Sequence, residues 1–264
     1  MKKNIILLSL AIITMLFVGC EKDNDPNYGE LLLGTWVNTM VNEQAVLTDA
    51  TFAMEFSSGN TQLYASGFQL DENNRSWQEN GNYNYSISGS LINIDGTDGL
   101  GNSYHMVFNI LSLNDDILTY SIQTFTLNGE VIANVNTYSC KKVAEDFSAE
   151  FTGIWFGQCT TVGNADSLYH YWEYFDDGNY NYYYQDENGN WIKKDDNEGR
   201  YFLYGQFCAS NYSHDILTGG TGLAFECWNF TIVGNNMVWT GLRENNVTIT
   251  YEMEKVPSPP ETLQ

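Results

Sequence analysis

Apolar and polar side chains alternate along most of this chain. Residues 247–254 read VTITYEME, in which every second residue is apolar or aromatic and the others are Thr or Glu. Residues 83–88 and 118–123 follow the same period of two. Successive side chains of a strand point to opposite faces of a sheet, so this pattern predicts half-buried β-strands. No segment beyond the N-terminus keeps a helical period for three turns.

Turn-forming sequences such as SSGN, DDGN and GNN separate these segments. They divide the chain into two sets of about eight predicted strands, near 33–40, 51–57, 61–69, 82–88, 91–95, 103–111, 117–126 and 131–142, then near 152–161, 168–176, 179–185, 190–194, 199–209, 224–233, 236–242 and 246–256. Eight antiparallel strands with short turns predict a small up-and-down β-barrel in each half, since closure removes free edges. Two β-sandwiches are the alternative all-β fold.

The two halves resemble each other at a spacing of 119 residues. GTWVN at 34–38 returns as GIWFG at 153–157, so that Trp36 aligns with Trp155. Later segments also align, and both halves end in similar strands, VNTYSCKKV and TITYEMEKV. We interpret this as a tandem duplication with one domain at 30–144 and a second at 148–256, followed by a disordered tail at 257–264.

The N-terminus has the pattern of an export signal. Lys2 and Lys3 precede an apolar run from Ile5 to Val18, which is too short to cross a ~30 Å hydrocarbon core as a helix. The run ends in FVGC, which resembles a bacterial lipobox. The resemblance implies a signal peptide at 1–19, removed by cleavage, and a lipid-modified Cys20 that attaches the mature chain to the membrane.

Residues 20–29 are polar and acidic, and this composition predicts a flexible tether. Acidic residues directly after the lipidated cysteine resemble the surface-export signals of Bacteroidota lipoproteins. The resemblance implies a lipid-anchored protein in the outer membrane that faces outward.

The early G-x-W followed by a meander of short strands resembles the lipocalin superfamily. With the lipobox, the chain is similar to the lipocalin-like lipoproteins of Bacteroidota. The resemblance implies that Trp36 and Trp155 close one end of each barrel as structural residues. It also implies a basic residue from a late strand over each tryptophan, and Lys142 and Lys255 are placed for that role. The barrels are shorter than those of typical lipocalins, so side chains can fill their interiors.

The net charge of the mature chain bears on its binding partners, and its cysteine content bears on disulfide formation. The formal charge is −22 for the whole sequence and becomes −24 once Lys2 and Lys3 are removed, which disfavours binding to nucleic acid. In an oxidising compartment, the four cysteines beyond Cys20 predict disulfides. We favour a Cys208–Cys227 pair, which leaves Cys140 and Cys159 as the second pair. Four free buried cysteines are the alternative.

Aromatic residues are densest in residues 168–191, where ten of 24 side chains are Phe, Trp or Tyr. Rows of rings stack on sugars or line apolar pockets, although aromatic residues also favour strands for structural reasons alone. The predicted binding residues are Tyr171, Trp172, Tyr182 and Trp191. The ligand class is a glycan or a small apolar molecule, and a non-enzymatic structural role with an envelope protein as partner is the alternative.

No residue set predicts catalysis, a metal site or a cofactor. The three histidines are isolated in sequence, and no G-x-S-x-G motif is present. DENGN at 186–190 has the oxygen spacing of a calcium loop but lacks the bidentate Glu and the flanking helices, so it predicts a hairpin turn. We therefore expect a protein that is not an enzyme.

Overall fold

The computed structural model describes residues 27–64, 79–98, 100–163, 168–194, 199–213 and 223–262. The signal peptide, Cys20 and most of the tether lie outside these residues. The described chain is almost entirely β, which confirms the predicted all-β class. Its strands, in order, are β1 Gly34–Val41, β2 Gln44–Ala45, β3 Ala53–Ser57, β4 Asn60–Tyr64, β5 Glu79–Ser88, β6 Leu91–Asp98, β7 Ser103–Leu113, β8 Ile117–Leu127, β9 Glu130–Val131, β10 Thr137–Lys142, β11 Gly153–Cys159, β12 Tyr169–Tyr174, β13 Tyr180–Gln185, β14 Trp191–Lys193, β15 Tyr201–Tyr204, β16 Phe207–Ser213, β17 Leu223–Val233, β18 Asn236–Arg243 and β19 Val247–Val256.

Two short α-helices and one 3-10 helix accompany the strands in the part of the chain that the structure describes. Helix α1, Tyr28–Leu31, precedes the first sheet and α2, Ser148–Phe151, precedes the second, while the 3-10 helix Glu244–Asn246 joins β18 to β19. No helix among the described residues is long and apolar enough to cross a bilayer.

The first sheet contains β1 to β10 and closes on itself. Its strands follow one another as antiparallel neighbours from β3 to β8, and β10 pairs with both β8 and β1. The second sheet contains β11 to β19 in the order β14-β13-β12-β11-β19-β18-β17-β16-β15. It is curled, and a single bridge between Asn179 and Arg200 links β13 to β15. When β14 and the short strands β2 and β9 are set aside, each sheet has eight strands. These eight strands follow the same order of neighbours in both sheets.

Three boundaries differ from the sequence-based expectation. The strand predicted at 199–209 is two strands, because a turn at Gly205 and Gln206 pairs Tyr204 with Phe207 in a hairpin. Helix α1 begins inside the predicted tether 20–29. The tail predicted to be disordered is described through residue 262, where Thr262 forms a parallel bridge with Trp191. Prolines in that tail restrict the chain and lower the entropic cost of ordering it.

Each sheet has a buried core next to its short helix. Trp36 and Trp155 have no exposed surface, and their indole N–H groups donate to the carbonyls of Leu32 at 2.8 Å and Phe151 at 2.7 Å. The described interior positions around them hold apolar and aromatic side chains. Because these side chains pack against one another, the cores are filled by the chain itself.

A lysine covers each tryptophan, as the lipocalin resemblance implied. The Nζ of Lys142 lies 5.1 Å from the Trp36 ring centre and donates to the Leu31 carbonyl at 3.1 Å. The Nζ of Lys255 lies 5.2 Å from the ring centre of Trp155 and donates to the Glu150 carbonyl at 2.8 Å. Each lysine thus joins the last strand of its sheet to the preceding helix.

The glycine of each G-x-W sequence makes room for this contact. Gly34 and Gly153 have φ of 116° and 129°, a region that side chains with a Cβ rarely adopt. A Cβ at Gly153 would lie 2.6 Å from Cε of Lys255, and one at Gly34 would lie 3.2 Å from Cε of Lys142. The repeated motif therefore encodes a backbone turn together with a lysine–tryptophan contact.

Residues 46–49 of the first half insert between two strands of the second sheet and so join the two sheets. We call them the inserted segment. The β17–β18 ladder ends at the pair formed by Asn229 and Thr240. Beyond it, the N–H of Cys227 donates to the Thr48 carbonyl at 2.9 Å, and the N–H of Thr48 donates to the Leu242 carbonyl at 2.8 Å. The segment thus lies between β17 and β18 and replaces the missing part of their ladder.

Candidate functional site

The outer aromatic surface is formed by four rings on the outside of β11, β12 and β14: Phe156, Tyr169, Tyr171 and Trp191. Trp155 and Trp172 occupy the interior, so the alternation of the strands turns their neighbours Phe156 and Tyr171 outward. Tyr169 is 44% exposed, and the other three rings are partly exposed.

The four rings contact one another. The Phe156 ring lies 4.9 Å from that of Tyr169 and 4.6 Å from that of Tyr171. The ring centres of Tyr171 and Trp191 are 4.8 Å apart with an interplanar angle of 84°. These contacts limit ring rotation, so part of the ordering that a stacked ligand requires is already present.

Trp191 is positioned by a turn and by the C-terminal segment. Asp186 accepts hydrogen bonds from the N–H groups of Asn188 and Asn190 at 2.9 and 2.8 Å and from the Asn190 side chain at 3.1 Å. These bonds, led by those from Asn190, lower the pKa of Asp186 below its usual value. The DENGN sequence is therefore a hairpin turn, whose ionised Asp186 holds β14 against β13.

Polar groups lie beside the rings on the same face of the sheet. Tyr183 and Asn181 donate to Oε2 of Glu173 at 2.8 and 2.7 Å. Burial, reinforced by the Glu173 carboxylate, raises the pKa of Tyr183 to about 12, so its hydroxyl keeps its proton at neutral pH. On the neighbouring strand, exposed Glu254 is opposite Phe156 and exposed Glu252 is opposite Gln158.

The four predicted ligand-binding residues do not form one site. Tyr171 and Trp191 belong to the outer aromatic surface, whereas Trp172 is 7% exposed and packs in the second core. Tyr182 also faces inward, with its hydroxyl 2.8 Å from Nδ1 of buried His170. Tyr171 and Trp172 are consecutive in a strand, where side chains alternate, so they lie on opposite faces of the sheet.

No predicted disulfide forms among the described residues, and Cys140, Cys159, Cys208 and Cys227 are all buried. Cys208 belongs to the second core and Cys227 to a cluster at the contact between the sheets, because their register places them on opposite faces of β16 and β17. Cys140 and Cys159 belong to different cores. Burial raises the pKa of the Cys140, Cys208 and Cys227 thiols, which keeps them protonated.

A buried ion pair lies at the opposite end of the second sheet from α2 and was not anticipated from the sequence. Glu226 is 6% exposed and accepts two bonds from Arg243, at 2.9 and 3.0 Å. Trp228 and Thr48 also donate to this carboxylate, at 3.2 and 3.3 Å. Because Thr48 lies in the segment between β2 and β3 of the first sheet, the ion pair strengthens the contact between the sheets and does not face the outer aromatic surface.

Sequence reasoning missed two members of the surface, Phe156 and Tyr169. The signal for Phe156 was present, since the residue after a buried tryptophan in a strand must face outward. A scan of the chain against family models finds no matching family, and a comparison with curated proteins finds no match.

Proposed function

We propose that this protein is an envelope lipoprotein that binds a neutral glycan on its outer aromatic surface. Residues 1–19 direct export, Cys20 carries the lipid, and the described sheets face outward from the outer membrane. The observation that carries the binding proposal is a group of four partly exposed rings, each in contact with at least one other, at Phe156, Tyr169, Tyr171 and Trp191.

The chemistry of the surface suits a sugar chain. The C–H faces of a pyranose stack on aromatic rings, and its hydroxyl groups donate to nearby carboxylates and amides. Glu252, Glu254 and Gln158 supply such acceptors beside Phe156 and Tyr169. The formal charge of −22 disfavours anionic glycans, so the proposed ligand is uncharged.

A ligand on the surface fits the packing better than one inside either sheet. The described interior of the second sheet is occupied by rings, among them the Trp172–Trp239 pair at 5.5 Å. A groove of about 580 Å³ beside α2 includes none of the four predicted ligand-binding residues in its lining. These features favour glycan stacking over a buried apolar ligand.

Calorimetric titration of the mature protein with neutral oligosaccharides tests the proposal. We expect Tyr171→Ala and Trp191→Ala each to weaken binding by about tenfold or more, since well-packed aromatic contacts carry most of the energy at such sites. Phe175→Ala is the matched control, because Phe175 is 36% exposed and follows β12 about 13 Å from Tyr171. Equal affinities in all four proteins, or no heat from any oligosaccharide, would refute the glycan proposal.

The lipid anchor has its own test. Radiolabelled palmitate should enter the wild-type chain in its host and not the Cys20→Ala variant. Protease added to intact cells should remove the protein if it faces outward. Labelling that persists in Cys20→Ala would contradict the anchor, and full protection from protease would contradict the outward orientation.

An exposed apolar strip on the first sheet favours a second candidate function, binding of another envelope protein. Val131 is 79% exposed and Val135 is 95% exposed, near the short edge strand β9. Exposed apolar side chains at a sheet edge are typical of interaction surfaces. Cross-linking in intact cells that is lost in Val131→Lys and Val135→Lys, with glycan affinity unchanged, would support this function as well.

A further inference from the structure

A cleft of about 170 Å³ separates the outer face of the second sheet from the first sheet. It lies on the same outer face as the outer aromatic surface, but on β16 to β19 instead of β11, β12 and β14. Both sheets contribute to its lining, which contains no charged side chain: Asn38, Thr39, Ala45, Val46, Thr48, Thr51, Phe207, Cys227, Asn229, Thr240, Gly241, Leu242 and Thr248. Seven of these residues are Thr or Asn, so the cleft is polar without carrying charge.

Four of the five threonine hydroxyl groups of this lining, all but that of Thr248, already donate their hydrogens within the protein. Thr39 donates to the Ser139 carbonyl at 3.3 Å, and Thr51 donates to the Leu47 carbonyl at 3.3 Å. Thr240 donates to the Asn229 carbonyl at 3.5 Å. A hydroxyl oxygen that has donated its hydrogen still accepts hydrogen bonds. The lining therefore offers acceptors to whatever occupies the cleft.

Asn229 adds a further acceptor. Its Oδ1 atom is buried and has no hydrogen-bond partner among the described residues. A buried, unpaired carbonyl oxygen is costly, so a donor from a ligand in this region would stabilise the folded state. A ligand with many hydrogen-bond donors would therefore suit this cleft.

We propose that this inter-sheet cleft binds a small neutral polyhydroxylated molecule, a monosaccharide or polyol, whose hydroxyl groups donate to the threonine oxygens and to Asn229. The absence of lysine and arginine from the lining disfavours an anion, and the absence of aspartate and glutamate disfavours a cation. The volume equals that of about five or six water molecules at ~30 Å³ each, which is enough for such a ligand. Phe207 supplies an apolar wall for its C–H groups.

Binding would also hold the two sheets together, because Thr39 belongs to β1 and Thr240 to β18. A molecule that forms hydrogen bonds with both residues would stabilise the contact between the two sheets that the inserted segment makes. The cleft does not depend on the glycan proposal, since none of its residues belongs to the outer aromatic surface.

Saturation-transfer NMR and calorimetry with glycerol, glucose and galactose test the cleft. Thr39→Val and Thr240→Val preserve side-chain shape and remove one acceptor, so each should weaken binding by about three- to tenfold. Thr231→Val is the matched control, because Thr231 is exposed on the same face of β17 and does not line the cleft.

The variants separate the cleft from the outer aromatic surface. Monosaccharide binding that survives Trp191→Ala and is weakened by Thr240→Val supports the cleft. The proposal is overturned if no probe shows saturation transfer, or if Thr39→Val and Thr240→Val bind as tightly as Thr231→Val. It is also overturned if Asn229→Leu leaves monosaccharide binding unchanged, since Asn229 would then accept no hydrogen bond from the ligand.

Discussion

Single residues in this protein have roles set by the face of the strand on which they lie. Tyr171 and Trp172 are adjacent in sequence, yet one ring is available to a ligand and the other supports the core. Cys208 and Cys227 are close along a hairpin, yet the sheet lies between their side chains. A register shift of one residue would reverse these assignments, so composition alone could not separate binding residues from core residues.

Thiol reactivity tests the residue assignments directly. In a Cys20→Ala chain at pH 8, we expect no native labelling of Cys140, Cys159, Cys208 or Cys227 by a thiol reagent, because all four are buried. Mass spectrometry after labelling in denaturant without reductant should show four labels. Two labels or none would mean that disulfides form and that the positions of these cysteines are wrong.

At the scale of elements, periodicity and turn sequences predicted most strands within a few residues. They failed at 199–209, where the turn at Gly205 lies within a continuous run of strand-forming residues and only long-range pairing separates β15 from β16. Sequence reasoning also did not predict the inserted segment. Its hydrogen bonds connect Thr48 with Leu242 and Cys227, and no local pattern encodes a contact between residues so far apart.

Gly241 tests the inserted segment, because β18 approaches both Thr48 and Trp228 at this position. A Cβ there would lie 2.5 Å from Cγ2 of Thr48 and 2.8 Å from the Trp228 ring. We expect Gly241→Ala to lower the free energy of unfolding by about 1–3 kcal/mol, as overpacking does elsewhere, measured by urea denaturation.

Gly29→Ala is the control for this substitution. The nearest atom to its Cβ would be Oδ1 of Asn27 at 3.5 Å, an ordinary contact, and α1 favours alanine. Stability should be unchanged or slightly higher. If Gly241→Ala is equally harmless, the inserted segment does not lie between β17 and β18.

The molecule consists of two sheets with the same strand order, and the described residues of the two sheets pack against each other. Each sheet has its own lysine-covered tryptophan, and the cluster of Val37, Ala53, Phe207, Ala209 and Cys227 packs where the sheets meet. The sequence repeat predicted the two units but not their contact, because repeats report on each copy separately. The binding features all lie outside the cores, on one outer face and in the cleft.

Alkaline pH should destabilise the whole molecule through its buried tyrosines. Burial raises the pKa of Tyr83 to about 12 and that of Tyr120 and Tyr174 well above 10. The folded state thus holds protons that the unfolded state releases above its ordinary pKa of ~10, so stability is full below pH 10 and falls as pH rises further. Urea unfolding with tyrosinate absorbance should show this loss, and a stability independent of pH between 9 and 12 would contradict the burial of these hydroxyls.

The proposed ligand of the outer aromatic surface on the second sheet is a neutral glycan. Chemical-shift mapping of the isotope-labelled protein, during titration with the tightest-binding oligosaccharide, tests it most directly. We expect shifts concentrated at Phe156, Tyr169, Tyr171 and Trp191, with Phe175 unaffected. Shifts centred on the interior residues Trp172 and Tyr182, or on the β9 edge, would contradict it.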